Sequence, residues 1–138
     1  MTSLYRRTGA RRGTSMAEFG LIAIPCLTLF FAIMNFAMAL YCYDFVGYSA
    51  QQAARYAIVH GAAAAQTVSA NDVQTYVKGL VAGVMDTTLL TVNTTWSPDN
   101  KPGSVVTVTV GYTFKPLTSL VSNVNITLSQ TAAMVISQ

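Results

Sequence analysis

From Phe19 to Tyr43 the chain runs for 25 residues without Asp, Glu, Lys, Arg or His. As an α-helix this block rises about 37 Å. The hydrocarbon core of a bilayer is about 30 Å thick, so the block is long enough to cross one with length left for tilt. Uncharged apolar runs above about 18 residues seldom belong to the core helix of a soluble protein. The block therefore divides the chain of 138 residues into a short leader, a membrane anchor and one small domain.

Charge follows the same division. The formal net charge is +3, but Arg6, Arg7, Arg11 and Arg12 all precede Gly13. Beyond Gly13 the cations Arg55, Lys78, Lys101 and Lys115 face Glu18, Asp44, Asp72, Asp86 and Asp99, which leaves a slight negative excess. The basic balance is thus a topogenic cluster, of the kind that keeps a terminus in the cytoplasm, and gives no case for nucleic-acid binding. Everything after Tyr43 is expected on the exported side. Cys26 and Cys42 both lie in the anchor. Sixteen residues of helix separate them by about 24 Å, too far for a disulfide, and they read as small apolar fillers.

After the anchor, Asp44 to His60 continues as helix, with Gly61 expected as its cap. Phe45, Tyr48, Gln52, Tyr56 and Val59 fall on one stripe. Ala50, Ala53, Ala54 and Ala57 form a smooth neighbouring face on which a sheet can pack closely. Ser69 and Asp72 have the spacing of a capping box, which predicts a second helix with Val73, Val77, Leu80, Val81 and Val84 inward. Three strands follow. Leu90, Val92, Thr94 and Trp96 alternate with polar residues. Ser97 to Gly103 is a turn by composition. Val106, Val108, Val110, Tyr112 and Phe114 give the cleanest period-two face in the chain, and Pro116 ends it. Leu117 to Val121 is expected to form a short helical turn. Ile126, Leu128, Ala132, Met134 and Ile136 line the last strand. Three strands need a helix to cover one face. The fold class is therefore α+β: a long N-terminal transmembrane helix continuing into a small domain with a three-stranded antiparallel sheet packed on helices. The expected divisions are 1–13, a basic leader; 14–61, the membrane helix and its exported extension; and 62–138, the α+β exported domain.

Catalytic signals are missing. There is no pair of carboxylates backed by a base, no His/Cys metal cluster, no glycine-rich phosphate loop and no Gly-x-Ser-x-Gly elbow. His60, the only histidine, sits beside a helix end. The sequence gives no case for an enzyme, a cofactor or a metal. Asn93-Thr94-Thr95 and Asn125-Ile126-Thr127 match the glycosylation sequon, a triplet that often arises by chance and means little if the protein is bacterial.

Within the anchor, Glu18 needs either a partner or the interface. A helix starting near Thr14 would place it in about the first turn, where the helix dipole offsets some of the cost. Pro25 removes a backbone donor and is expected to kink the helix. Asn35 is a polar group at mid-depth that can bond another helix or its own backbone. Gly20, Ala23, Ala32 and Ala39 offer close-approach points. Tyr41, Tyr43 and Tyr48 read as interfacial aromatics.

Gly13 followed by Glu18, Phe19 and a long apolar helix resembles the processing site of type IV pilin-like precursors. That resemblance implies cleavage between Gly13 and Thr14 by a prepilin peptidase. It makes Glu18 the fifth mature residue, which pairs with a neighbouring subunit's new amino terminus. The run Glu18-Phe19-Gly20-Leu21, the aromatic exit at Phe36 to Tyr41 and the segment Ala53-Ala54-Arg55-Tyr56-Ala57 are similar to the TadE-like family of tight-adherence (Flp) pilus assembly proteins, and Pro25 fits that family's early proline. Val106 to Leu117 and Ile126 to Met134 are similar to its later strands. The resemblance implies a minor pilin-like subunit, or pseudopilin, with Glu18 and Phe19 at the subunit contact. Its partners would be the membrane, the peptidase, other pilin subunits and the tight-adherence machinery of adhesion and secretion. Its place would be the bacterial inner membrane, crossed once, with the N-terminus cytoplasmic and the C-terminal domain periplasmic or carried into a pilus.

Two other readings fit the residues. In one, the chain is an uncut, membrane-anchored periplasmic binding or assembly module, and Glu18 is a replaceable interfacial residue. In the other, Ala37-Met38-Ala39 is a signal-peptidase site and the exported chain starts at Leu40. The apolar region before that triplet is longer than a signal peptide needs.

Overall fold

A computed structural model describes residues 11–62, 67–116 and 125–137. Helix α1 spans Arg11–Val59 and α2 spans Ala70–Val81. A single 3-10 turn at Thr87–Leu89 leads into β1, Leu90–Ser97, followed by β2, Val105–Phe114, and β3, Ile126–Val135. The chain divides into two compact units, residues 1–36 and 37–138, with the division inside α1. The expected turn at Leu117 to Val121 lies outside the described residues.

In the second unit the strands form an antiparallel meander in the order β1-β2-β3. Period-two patterning sets the register, because a slip of one residue would turn every apolar side chain to solvent. Thr94 lies opposite Val108, and Val108 opposite Ala132; Trp96, Val106 and Met134 form the next row. Val106, Val108 and Val110 are fully buried, and Tyr112 and Phe114 nearly so. One cover is the second part of α1, which buries Cys42, Val46, Ser49, Ala50, Ala53, Ala54 and Ala57. The alanine face packs inward as expected. Its small side chains admit close approach, and a Cβ built on Gly47 would lie 3.7 Å from Gln130 Cγ on β3. The aromatic stripe forms the rim instead, with Tyr48 and Val59 exposed and Tyr56 stacked on Tyr76 of α2 at 4.4 Å between ring centroids.

The second helix forms as its cap predicts. Ser69 Oγ accepts from the Asp72 amide and Asp72 Oδ2 accepts from the Ser69 amide, which satisfies two otherwise orphaned donors. Val73, Val77 and Val81 are buried at one-turn spacing. Val84 is exposed rather than inward, because α2 stops at Val81 and Gly83 takes the left-handed conformation, φ +86°. Helix α1 likewise stops at Val59. Gly61 is not the left-handed cap that was expected; the left-handed glycines among the described residues are Gly83 and Gly103. The His60 ring sits instead against the Tyr56 carbonyl at 2.9 Å, and the His60 carbonyl accepts from the Val68 amide. Ile126 departs from expectation too: it shares the inner parity of β3 but is 41% exposed at the strand's start.

Two positions in the sheet carry testable consequences. On the outer face a Cβ on Gly111 would lie 2.6 Å from Thr91 Oγ1, so the central strand admits only glycine there while Thr91 keeps its rotamer. Gly111→Ala is expected to lower stability by about 1 kcal/mol, the cost of forcing a neighbouring side chain off its preferred rotamer. Adding Thr91→Ala should restore most of it; denaturant titration of the four chains of that cycle checks this. On the inner face Thr94 Oγ1 is buried with no hydrogen-bond partner among the described residues. Thr94→Val keeps the shape and removes the unmet polar group, so a gain of about 1 kcal/mol is expected in the same titration.

The loops are held by carboxylates. Asp99 Oδ1 accepts from Ser104 Oγ at 2.6 Å and from the Lys101 amide at 3.1 Å. Gly103, φ +93°, donates its amide to Ile136 O. Hydrogen bonds from Ser104, Thr88 and Ser69 hold the carboxyls of Asp99, Asp86 and Asp72 below their ordinary value of 3.8. A carboxyl depressed in the fold contributes stability above its unfolded pKa and loses it as pH falls through the folded one. Thermal melts of the full chain should therefore be flat from pH 7 to about 5 and drop below about pH 4. A drop centred well above pH 5 would contradict the assignment to these carboxyls.

Candidate functional site

The residues singled out from the sequence lie along the first part of α1. Gly13 and Thr14 sit in its first turn. Arg11 and Arg12 open the helix, and Arg6 and Arg7 lie outside the described residues. The helix thus begins three residues ahead of Thr14, and Glu18 is its eighth residue rather than part of its first turn. Dipole assistance fades beyond the first turn, so a carboxylate at this depth loses the help that a later start would give it.

From Glu18 to Phe36 almost every large side chain points outward. Phe19 is 75% exposed, Leu21 76% and Phe36 71%. Full exposure of a Phe, Leu or Ile costs about 1.5–3 kcal/mol relative to burial, so a cover of lipid or other helices is required. This is the one helix among the described residues long and apolar enough to cross a membrane. It runs through Pro25. Thr28 Oγ1 donates to the Ile24 carbonyl at 2.8 Å one turn away. Asn35 Nδ2 donates to its own Phe31 carbonyl at 2.9 Å, the local one of its two expected options. A Cβ on Gly20 would meet nothing within 4 Å, so the helix backbone is open to contact there. Tyr41 and Tyr43 are exposed, and Tyr41 stacks on Phe45 at 6.2 Å.

No group of three His, Cys, Asp or Glu side chains converges on a metal-binding geometry among the described residues. Cys26 is exposed and Cys42 buried, and both are free thiols. What the first part of α1 offers is a long apolar surface with one carboxylate near its start and a glycine beside it. Such a surface is suited to packing against helices or lipids.

Fold and site together define a class: a protein with one apolar N-terminal helix able to span a membrane, joined to a small α+β domain. More specifically, the sequence model of the TadE-like protein family matches residues 13–55, so this stretch of the chain is similar to that family. The match starts at Gly13, contains Glu18, Pro25 and Asn35, and ends at Arg55; the sheet strands lie beyond it. Comparisons with curated proteins and with solved structures returned no match.

Proposed function

We propose that the chain is a minor pilin-like subunit of a tight-adherence pilus or secretion assembly, held in the inner membrane and joined to other subunits through α1. The observation that carries the reading is the coincidence of the TadE-like match, residues 13–55, with the exposed apolar surface of the same helix. A surface of that length needs neighbours, and the family supplies the kind: other pilin-like helices.

The roles follow from position. Arg6, Arg7, Arg11 and Arg12 hold the leader in the cytoplasm. A prepilin peptidase cuts between Gly13 and Thr14. The first turn of a helix lacks intrahelical acceptors for its amides, and a glycine there weakens it by about 0.5–1 kcal/mol. Unwinding that turn into an extended substrate is therefore inexpensive. Cleavage moves the helix start to Thr14 and returns Glu18 to the dipole's reach. The Thr14 ammonium of one subunit then pairs with the Glu18 carboxylate of its neighbour. Phe19 and Gly20 sit at that contact, Pro25 and Asn35 shape the helix below it, and Tyr41 marks the exported interface.

The N-terminal mass of the protein extracted from native membranes tests this. A chain beginning at Thr14 supports the assembly role. A chain beginning at Met1 or Thr2 overturns processing and favours an uncut anchored module. A chain beginning at Leu40 makes the apolar block a secretory signal and removes the pilin reading altogether.

A further inference from the structure

Where α1 passes from the apolar block into the exported domain, a cavity of about 330 Å³ opens between it and the sheet. Its apolar walls are Met38, Cys42, Met85 and Phe114, and its polar lining includes Asp86 and Lys115. All belong to the second compact unit, but they come from widely separated stretches of the chain. Gly83, left-handed at φ +86°, makes the turn after α2 that carries Met85 and Asp86 back toward α1. Phe114 and Lys115 arrive from the end of β2.

We propose that this cavity seats the headgroup of an amine-bearing zwitterionic phospholipid from the outer leaflet, such as phosphatidylethanolamine. Three observations support that occupant. The first is depth: Met38 and Cys42 belong to the uncharged run that ends at Tyr43, so one wall of the cavity is the membrane helix at its interfacial end. The second is charge. Lys115 and Asp86 are both exposed and near enough for the lysine to lower the carboxyl's pKa, yet they form no ion pair; among the described residues the one ion pair is Lys101 with Asp99. Two opposite charges held apart over an apolar floor match a group that carries both, with phosphate toward Lys115 and ammonium toward Asp86. An anionic headgroup without an amine would satisfy the lysine and repel the carboxylate. The third is size. Ligand pockets run from about 300 to 1,000 Å³, so this one takes a headgroup and the start of its chains, not a whole lipid.

The carboxylate is already oriented. Asp86 Oδ1 accepts from the Thr88 amide at 2.9 Å and Thr88 Oγ1 at 2.7 Å. Asp86→Asn can keep that cap, since Asn caps about as well as Asp, while removing the charge.

The inference rests on α1 spanning the membrane, and the test separates the two. Full-length protein is first washed on its membranes with alkaline carbonate; release from the membrane defeats the span itself. Protein that stays is extracted, and native mass spectrometry is run with phosphatidylethanolamine or phosphatidylglycerol added at equal concentration. Wild type should retain phosphatidylethanolamine at least fivefold better than phosphatidylglycerol. Lys115→Gln and Asp86→Asn should each reduce that retention at least threefold in protein that keeps the wild-type Trp96 emission of the folded domain. Equal retention of the two lipids overturns the proposal. So does retention that neither substitution changes.

Discussion

A Val108→Asp chain is expected to lose the fold of its α+β domain while keeping the apolar helix that is able to span a membrane. Val108 lies at the middle of the central strand, fully buried, with Thr94 on one side and Ala132 on the other. Among the described residues no cation faces the inner side of the sheet, Arg55, Lys78, Lys101 and Lys115 being exposed, so the carboxylate would be buried unpaired or forced to protonate. Either outcome costs several kcal/mol, against about 5–15 kcal/mol for the whole stability of an ordinary domain. Val108→Ala, by contrast, removes two methyl groups and leaves a small cavity, which costs about 2 kcal/mol; that chain should fold. Trp96 reports the difference. It is the only tryptophan and pairs with Val106 one row away, so its emission should shift to the red in Val108→Asp and stay at the wild-type wavelength in Val108→Ala. Wild-type emission in the Asp chain would mean that the inner face is wetter than its burial indicates.

That row also shows why so much of the sheet could be read from residues alone. Alternation over β2 admits one solution, since the opposite phase would expose three valines and two aromatics. The second helix was equally constrained, because its cap residues and its buried valines agree. The membrane boundary was harder. Cys42, Val46 and Ser49 extend the alanine face toward the anchor, but an apolar run looks the same whether lipid or a sheet covers it. Gln130 was passed over for a related reason: a polar residue breaks the apolar row of β3, and only the close approach of Gly47 explains its half-buried place. The helix start at Arg11 was missed because leader arginines read as charge rather than as helix formers, although arginine is a good one.

The two proposed surfaces differ in the same respect. Gly13, Thr14, Glu18 and Phe19 lie within seven residues, so a local pattern suffices to find them. Met38, Asp86 and Lys115 meet only after the turn at Gly83 and the hairpin of β1 and β2 have formed. No spacing in the sequence links them, and neither charge is unusual where it stands in the chain.

Replacing Glu18 by glutamine should leave the chain in the membrane and cleaved after Gly13, yet cut its recovery in assembled pili by about a hundredfold. An ammonium and a carboxylate pairing in a medium of low dielectric are strongly coupled. Removing one partner of such a pair costs about 3–5 kcal/mol, because the other charge is left unmet; each 1.4 kcal/mol is a tenfold change in association. The neutral amide also makes the anchor more apolar, which separates assembly from insertion: a defect in insertion would be expected to improve, not worsen. In the proposed assembly the pair between Thr14 of one subunit and Glu18 of its neighbour would also fix the axial register of neighbouring helices to within a helical turn. Pilus recovery from cells carrying Glu18→Gln, compared with the N-terminal mass of the same chain, measures both steps at once. Normal recovery with a Thr14 terminus would reduce Glu18 to an interfacial residue and leave the exposed apolar face of α1 as the sole basis of subunit contact.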